Sequence, residues 1–186
     1  MTVVRVESPL EAFWAKLRAA QQGVLILSLE VLLEEPVSGK ARRTSAHVAS
    51  ALGKLLRTTR TRVVILSDRR EGECSFLLPD PWPGDLARNG NGRSHAGTIE
   101  LHTDIRNKVE MIRKLAMESE DLPLVYLGSD LSDEAVFHAI AGSGLGILAR
   151  SELRLTAAQV LIRPPEELLN FLERWFQACR GLGAAC

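Results

Sequence analysis

The fold is decided by one stretch near the middle of the chain, Leu124-Val125-Tyr126-Leu127-Gly128-Ser129-Asp130-Leu131-Ser132-Asp133-Glu134. Its uninterrupted apolar run, residues 124–127, is typical of a strand covered on both faces of a parallel sheet. The small residues that follow predict a tight turn at the carboxyl end of that strand, and the acidic residues after it predict the first turn of a helix. In open α/β sheets ligands bind at this edge, because strand ends and helix amino termini converge there.

Two further apolar runs, Val24–Leu27 and Val63–Leu66, predict buried strands of the same kind. Shorter strands are predicted at 98–101, 146–148 and 160–162, and helices at 9–20, 43–56, 104–117, 132–141 and from 164 onward. Strand and helix therefore alternate almost throughout the chain. This alternation predicts an α/β fold, a three-layer sandwich with a mainly parallel sheet.

Composition favours one ordinary globular domain. The chain has 186 residues, 46% of them hydrophobic, and its 23 acidic residues balance its 23 basic residues. This balance produces no global field that would attract nucleic acid or an anionic membrane. The three cysteines lack metal-type spacing, no apolar stretch approaches the ~20 residues of a membrane span, and the amino terminus lacks a signal-peptide core. We therefore expect a single cytoplasmic domain over residues 1–186, with no nucleic-acid or membrane partner.

The segment between the second and third apolar runs changes in character. Residues 70–97 are rich in proline and glycine and include the turn-forming run Asn89-Gly90-Asn91-Gly92. A loop of this length is uncommon inside a compact domain, so it is either functional, mobile or the remnant of something larger. The last residues, 181–186, have the composition of a flexible tail.

From about Gly23 to Trp175, the chain resembles the core domain of the trehalose-phosphatases, a family of the haloacid dehalogenase (HAD) superfamily. The resemblance rests on a colinear set of segments: 124–134, Gly144-Leu145-Gly146-Ile147, Thr156-Ala157-Ala158 and the helix at 165–175. It implies a HAD-like, Rossmannoid core. The family also carries a mobile cap that grips the sugar, inserted between its second and third signatures. Because the interval from Arg69 to Lys108 is too short for that domain, residues 70–97 are interpreted as the remnant of a reduced or absent cap.

The first family signature, Asp-x-Asp-Gly-Thr-Leu, is degenerate here. The resemblance implies that its first Asp is the nucleophile, that its second is the general acid/base, and that both help to hold Mg²⁺. The aligned residues are Ser28-Leu29-Glu30-Val31-Leu32-Leu33. Ser28 removes the nucleophilic carboxylate, since a serine hydroxyl needs a neighbouring base before it can attack phosphorus. Glu30 keeps a carboxylate on a longer stem, and Val31 and Leu32 are expected to crowd the phosphate cradle.

Two signatures that bind phosphate in the family are better retained. Ser67, in Ser67-Asp68-Arg69, stands where the family has Ser-Gly-Arg and would donate a hydrogen bond to phosphate. Lys108, in Asn107-Lys108-Val109, matches the lysine of the family's Asn-Lys-Gly signature, which neutralises phosphate. The structural alternatives are a strand-end serine that caps the next turn and a solvated surface lysine.

The fourth signature, Gly-Asp-Asp-x-Thr-Asp-Glu in the family, has Ser129 in place of its first acidic residue. Asp130 and Asp133 remain, and they are the candidate ligands for a Mg²⁺ ion. The alternative is that these carboxylates cap the first turn of the following helix. Because Ser28 and Ser129 replace two of the three expected magnesium ligands, the sequence predicts no firm cofactor, with Mg²⁺ as the candidate.

These departures together predict a trehalose-6-phosphate-phosphatase-like HAD domain that is catalytically inactive and acts as a binding or scaffolding protein. One alternative is a Mg²⁺-dependent sugar-phosphate phosphatase with a rearranged site that uses Glu30 or Asp130. A second is a sensor that binds a sugar phosphate through Ser67 and Lys108 without cleaving it. A protein partner or self-association is expected under the first interpretation.

Overall fold

A computed structural model describes residues 8–33, 44–78, 86–88, 97–119 and 121–180. The strands are β1 Val24–Ser28, β2 Arg62–Leu66, β3 Leu86–Arg88, β4 Thr98–His102, β5 Leu124–Gly128, β6 Leu145–Ala149 and β7 Val160–Ile162. The helices are α1 Pro9–Ala20, α2 Ala46–Thr58, α3 Glu71–Leu77, α4 Lys108–Glu118, α5 Glu134–Ile140 and α6 Glu166–Arg180. Short 3-10 turns span Leu29–Leu32 and Leu131–Asp133.

The described strands form one sheet in the order β3-β4-β2-β1-β5-β6-β7. Every pairing in this sheet is parallel. In parallel sheets all carboxyl ends lie at one edge, so the residues that follow β1, β2 and β5 meet near the centre of that edge. The α/β class and the mainly parallel sheet are confirmed.

Helices cover both faces of the sheet and make three layers. On β1, Leu25 and Leu27 belong to the core cluster with α1, α2 and α6, whereas Val24 and Ile26 belong to the cluster with α4 and α5. Successive side chains of a strand point to opposite faces, so an apolar run is needed to fill both layers. This is the physical reason why β1, β2 and β5 have no polar alternation.

The layer formed by α1 and α6 is rich in aromatic contacts. Ser8 Oγ caps α1 by accepting a hydrogen bond from the Glu11 amide at 3.2 Å, as the capping pattern predicts. Trp14 of α1 packs against Phe171 and Trp175 of α6, with ring centroids 5.0 and 6.4 Å away. The longest of the described helices is α6 with 15 residues, and among the described residues no helix is long and apolar enough to cross a membrane.

The proline- and glycine-rich segment 70–97 is more structured than the sequence indicates. It contains the helix α3 and the edge strand β3, which pairs with β4. The description of 70–97 as a loop is therefore wrong for these two elements, and residues 79–85 and 89–96 lie outside the described part. The proposed tail, 181–186, also lies outside the described residues, and the single-domain boundary of 1–186 stays a prediction.

Candidate functional site at the carboxyl edge of the sheet

A polar cavity of about 280 Å³ opens at the carboxyl ends of β1 and β2, beside the turn that follows β5. Its polar lining is Ser28, Glu30, Ser67, Asp68, Arg69, Lys108 and Asp130. Five of the six residues that the sequence singles out are therefore brought together in one cavity. The sixth, Asp133, lies directly behind it in contact with Lys108.

Asp133 is the best-satisfied polar group at this edge. Its side chain is fully buried, and its Oδ1 accepts hydrogen bonds from Lys108 Nζ at 2.9 Å and Tyr126 OH at 2.6 Å. Its Oδ2 accepts from the amides of Ser129 at 2.8 Å and Asp130 at 3.0 Å. A buried carboxylate is tolerated when its charge is paired and its lone pairs are filled, and Asp133 meets both conditions.

Gly128 is required by the approach of Asp133 to the end of β5. A Cβ built on Gly128 would lie 2.6 Å from Asp133 Oδ2 and 2.7 Å from Asp133 Cβ. Real Cβ atoms essentially never come so close to another atom, so any other residue would displace the buried carboxylate. Gly128 thus has a packing role at the end of β5.

The end of β1 is organised differently. Ser28 is 1% exposed and lines the cavity. Glu30 is held by Arg69, whose Nε and Nη2 lie 2.9 and 2.8 Å from Glu30 Oε1. This pair orients the Glu30 carboxylate across the mouth of the cavity toward the loop after β2.

The predicted crowding of the phosphate cradle by Val31 and Leu32 is wrong. Both side chains are buried, at 5% and 1% exposure, in the core cluster on the α2 side of the sheet. They are absent from the lining of the polar cavity. The 3-10 turn of Leu29–Leu32 carries them away from it, which a linear alignment of side chains could not show.

At the end of β2, Ser67 is buried at 3% exposure and its Oγ accepts a hydrogen bond from the Arg69 amide at 3.1 Å. Cys74 Sγ lies 3.5 Å from the same oxygen. Burial raises the pKa of the Cys74 thiol, so the thiol is not poised as a nucleophile. Ser67 thus caps the turn, as the structural alternative states, while its hydroxyl also lines the cavity.

Three residues of the site were missed as functional candidates from the sequence. Asp68 and Arg69 line the cavity, and Tyr126 holds Asp133 through its hydroxyl. Asp68 and Arg69 could have been found from their position directly after a strand that ends in Ser67. Tyr126 could have been suspected as the single polar-tipped side chain in an otherwise aliphatic run.

The surroundings of Asp130 in the cavity shift the pKa of its carboxyl group. Partial burial, followed by the charges of Asp133 and Glu30, raises the pKa of the Asp130 carboxyl above its ordinary value. Lys108 and Arg150 act in the opposite direction but are the smaller influences. The raised pKa of Asp130 therefore reflects its partial burial first and the neighbouring carboxylates second.

The donor set does not fit a magnesium ion. Within the described ranges, no group of three or more histidine, cysteine or acidic side chains is arranged to hold a metal. Asp133 already receives four hydrogen bonds, and one of its donors is the Lys108 ammonium. Positions 28 and 129 are serines, and a neutral hydroxyl is a weaker ligand than a carboxylate for a hard divalent cation.

A larger groove adjoins the polar cavity. It has a volume of about 770 Å³ and shares Glu30 and Asp130 with the polar cavity. Its floor is apolar, formed by residues that include Val31, Ala149 and Leu168. A ligand in the polar cavity could therefore extend an apolar portion into this groove.

Several solved structures have this fold. The trehalose-6-phosphate phosphatase of Aspergillus fumigatus superposes with a TM-score of 0.64 at 12% identity, over 88% of this chain and 97% of that chain. A Legionella pneumophila protein assigned to subfamily III A of the HAD hydrolases gives 0.58 at 14% identity, over 92% of each chain. A Streptomyces avermitilis protein assigned to the HAD hydrolases gives 0.56 at 13% identity, over 84% of this chain and 86% of that chain.

These similarities show that the chain has the HAD-like, Rossmannoid fold of a class that includes trehalose-6-phosphate phosphatase. At 12–14% identity, the similarity concerns the fold and not the chemistry of the site. No protein-family model matches the sequence. No curated protein matches it significantly either.

Proposed function

We propose that this protein is a HAD-fold domain of trehalose-phosphatase type that does not hydrolyse phosphate esters, and that it acts as a binding or scaffolding protein. The observation that carries the proposal is Ser28. It stands at the carboxyl end of β1, in the cavity, at the position of the nucleophilic Asp in the resembled signature. Removing the nucleophile of a hydrolase lowers kcat by roughly 10⁶-fold.

Glu30 supports the same proposal. In the resembled signature, this position carries the general acid/base, which must be free to exchange a proton with the leaving group. Here its carboxylate is engaged by the Arg69 guanidinium through two short contacts to one oxygen. A carboxylate oxygen engaged by two guanidinium contacts is oriented toward Arg69 and is poorly placed to reach a leaving group in the cavity.

Two alternatives retain some support. The carboxylates that line the cavity, Glu30, Asp68 and Asp130, favour a phosphatase with a rearranged site, because any of them could in principle act as nucleophile or base. Ser67 and Lys108 at the same cavity favour a sensor that binds a sugar phosphate without cleaving it. For the sensor, the difficulty is that Asp133 already neutralises Lys108.

The test is phosphate release from a panel of sugar phosphates that includes trehalose 6-phosphate, with and without Mg²⁺. We expect no release by the native protein. The triple variant S28D/E30D/S129D runs alongside, and turnover gained by this variant would identify the three substitutions as the cause of the inactivity. Magnesium-dependent turnover by the native protein, lost in Glu30→Ala, would instead establish a rearranged active site.

A rim of exposed leucines supports the binding part of the proposal. Leu131, Leu153 and Leu155 are 76%, 78% and 98% exposed. Arg154 ties their two segments together, with Nη2 2.8 Å from the Asp130 carbonyl oxygen and Nη1 2.8 Å from Glu134 Oε1. Exposed apolar side chains that lie together in one patch are typical of an interaction surface.

The occupant that we propose for this rim is a second copy of the chain. The formal net charge is zero, so no long-range repulsion opposes association of two copies. Arg150 and Glu152 lie 3.8 Å apart beside Leu153, so a two-fold arrangement can place opposite charges against each other.

Analytical ultracentrifugation tests the proposed dimer. The native protein and the L131S/L153S/L155S variant are compared at roughly 5 to 200 µM, a range suited to a dimer of about micromolar affinity. We expect a dimer of the native chain that the triple variant loses, with Met117→Ser as the control, because Met117 is 74% exposed and lies on α4. A monomeric native chain, or a dimer that survives the triple variant, would contradict self-association through this rim and direct attention to a different protein partner.

A further inference from the structure

The polar cavity has an uncompensated negative charge. Of the charged residues that line it, Arg69 is paired with Glu30 at 2.8 Å. Two carboxylates of the lining, Asp68 and Asp130, form no ion pair within the described part of the chain. Both are exposed to solvent at the cavity mouth.

The second cation of the lining does not offset these two carboxylates. Lys108 Nζ lies 2.9 Å from Asp133 Oδ1, and the Lys108 side chain is only 12% exposed. Its charge is therefore paired with a buried carboxylate, and its influence on Asp130 is smaller than that of the neighbouring carboxylates. A phosphate group in the cavity would face Asp68 and Asp130 without a free cation among the described residues.

Ser28 provides an independent indication of a ligand. It is 1% exposed and lines the cavity, yet within the described residues its hydroxyl forms no hydrogen bond. Buried polar groups in native proteins are almost always hydrogen-bonded, to protein, water or a ligand. The Ser28 hydroxyl lines the same cavity as the two carboxylates that form no ion pair among the described residues, so it is placed to accept a hydrogen bond from a ligand.

We propose that this cavity binds a small organic ammonium ion, with Asp68 and Asp130 as counter-charges and Ser28 Oγ as a hydrogen-bond acceptor. The inference rests on the proposed function, because it assigns to the inactive site a ligand of opposite charge to the phosphate esters that the fold class hydrolyses. An ammonium group has three donors, which matches two carboxylates and one hydroxyl in number.

The dimensions of the site favour an ammonium ion with a short apolar chain. A volume of about 280 Å³ exceeds that of a bare ion and accommodates a few non-hydrogen atoms. The adjoining groove has an apolar floor and shares Asp130 with the cavity. A chain of a few methylene groups could therefore leave the ammonium head at Asp130 and lie over that floor, where burial of apolar surface adds affinity.

The probe is n-butylammonium, and butanol, butyrate and inorganic phosphate serve as comparison ligands of neutral and negative charge. Binding to the full chain is measured by two-dimensional amide NMR at constant ionic strength. The ligand is added up to about 50 mM, because exposed ion pairs provide only weak affinity. We expect saturable shifts at Ser28, Ser67 and Ser129 with n-butylammonium. Inorganic phosphate should produce no saturable shift at these residues.

Variants test the assignment. D68N/D130N should weaken n-butylammonium binding at least about tenfold, and Ser28→Ala about threefold. Asp121→Asn, an exposed aspartate that lines a cavity at the opposite edge of the sheet, is the matched control and should bind as the native protein does.

Each other outcome overturns the inference. Equal binding of butanol would show an apolar site without charge recognition. Saturable binding of phosphate or butyrate in place of the amine would show an anion site and would favour the sensor. Absence of binding by all four probes would show no small-ligand site. These results are separate from the phosphate-release test, which alone decides whether the proposed lack of catalysis is correct.

Discussion

The ends of β5 and β1 are neighbours in the sheet, yet the buried polar side chains at the two ends differ in their hydrogen bonding. At the end of β5, Asp133 is buried and receives four hydrogen bonds, including one from Lys108. At the end of β1, Ser28 is equally buried, but its hydroxyl forms no hydrogen bond among the described residues. The two strands pair in register from Val24 with Leu124 to Leu27 with Leu127, so their framework is shared.

This difference separates structural from chemical roles at one sheet edge. A buried carboxylate with four donors stabilises the turn after β5 whether or not a reaction occurs there. A nucleophile at the end of β1 contributes to the reaction but is dispensable for packing. Gly128 and Asp133 are residues of this edge that the packing of the fold itself needs.

The largest expected effect comes from Asp133→Ala. The substitution leaves the nearly buried Lys108 ammonium without its counter-charge and orphans the Tyr126 hydroxyl. We expect the free energy of unfolding to fall by about 3–5 kcal/mol, measured by urea denaturation. The control is Asp68→Ala, an exposed carboxylate of the same cavity, with a change below about 0.5 kcal/mol. A loss below about 1 kcal/mol for Asp133→Ala would contradict a structural role for the β5 end.

Gly128→Ala should have the second largest effect. The new methyl group would lie within 2.6 Å of Asp133 Oδ2 and would force the carboxylate or the strand end to move. Overpacking of this kind destabilises by roughly 1–3 kcal/mol. Gly72→Ala is the matched control, since nothing lies within 4 Å of a Cβ there and the residue is in α3. Equal effects of the two substitutions in thermal unfolding would show that the contact with Asp133 is unimportant.

Removing one hydroxyl from each strand end compares the two sites directly. Tyr126→Phe deletes a 2.6 Å hydrogen bond to a buried carboxylate and should destabilise by about 1.5 kcal/mol. Ser28→Ala deletes a hydroxyl that has no described partner, so the change should stay within about 0.5 kcal/mol. Urea denaturation of both variants measures the contrast. If Ser28→Ala lowered the free energy of unfolding more than Tyr126→Phe, the hydroxyl at the end of β1 would be the more important one for stability, which would contradict this comparison.

The smallest expected effect is a pH-dependent increase in the free energy of unfolding for Asp130→Asn. The folded protein raises the pKa of Asp130 above its unfolded value of about 3.9, so folding favours the protonated form. The stability contribution of this residue therefore falls as pH rises from about 4 through the folded pKa. We expect the free energy of unfolding of the Asp130→Asn variant to exceed that of the native protein by up to about 0.5 kcal/mol at pH 7. Below about pH 3.5 we expect no difference.

Urea denaturation between pH 3 and pH 8 measures this gain, with Asp121→Asn subtracted as the general effect of removing one negative charge. A gain that persists at the acid end of the range would assign the effect to packing and not to charge.

The sequence predicts most of the fold because the decisive signals are local. Three apolar runs become β1, β2 and β5, and the capping pattern at Ser8 becomes the start of α1. The segment 70–97 was less predictable. Its proline and glycine content conceals the short elements α3 and β3, and β3 depends on its pairing with β4. Short edge strands draw their stability from their neighbours, and a linear pattern does not show those neighbours.

The sequence predicted the position of the site but not the contacts within it. Residues directly after buried strands could be assigned to one edge of the sheet, and they do meet there. The partners of those residues could not be assigned, because a side chain's contacts depend on its direction and on the turn that carries it. Val31 and Leu32 leave the cavity through a 3-10 turn, and Arg69 reaches back across it to Glu30.

By itself, the sequence determined the α/β class and the buried parallel strands, since each follows from residue type and local spacing. The tertiary structure alone decided which charges neutralise each other. It directs Lys108 to the buried Asp133, and among the described residues it leaves Asp68 and Asp130 without an ion pair at the cavity. The physical reason is that the strength of a charge interaction depends on distance and burial, and the fold sets both.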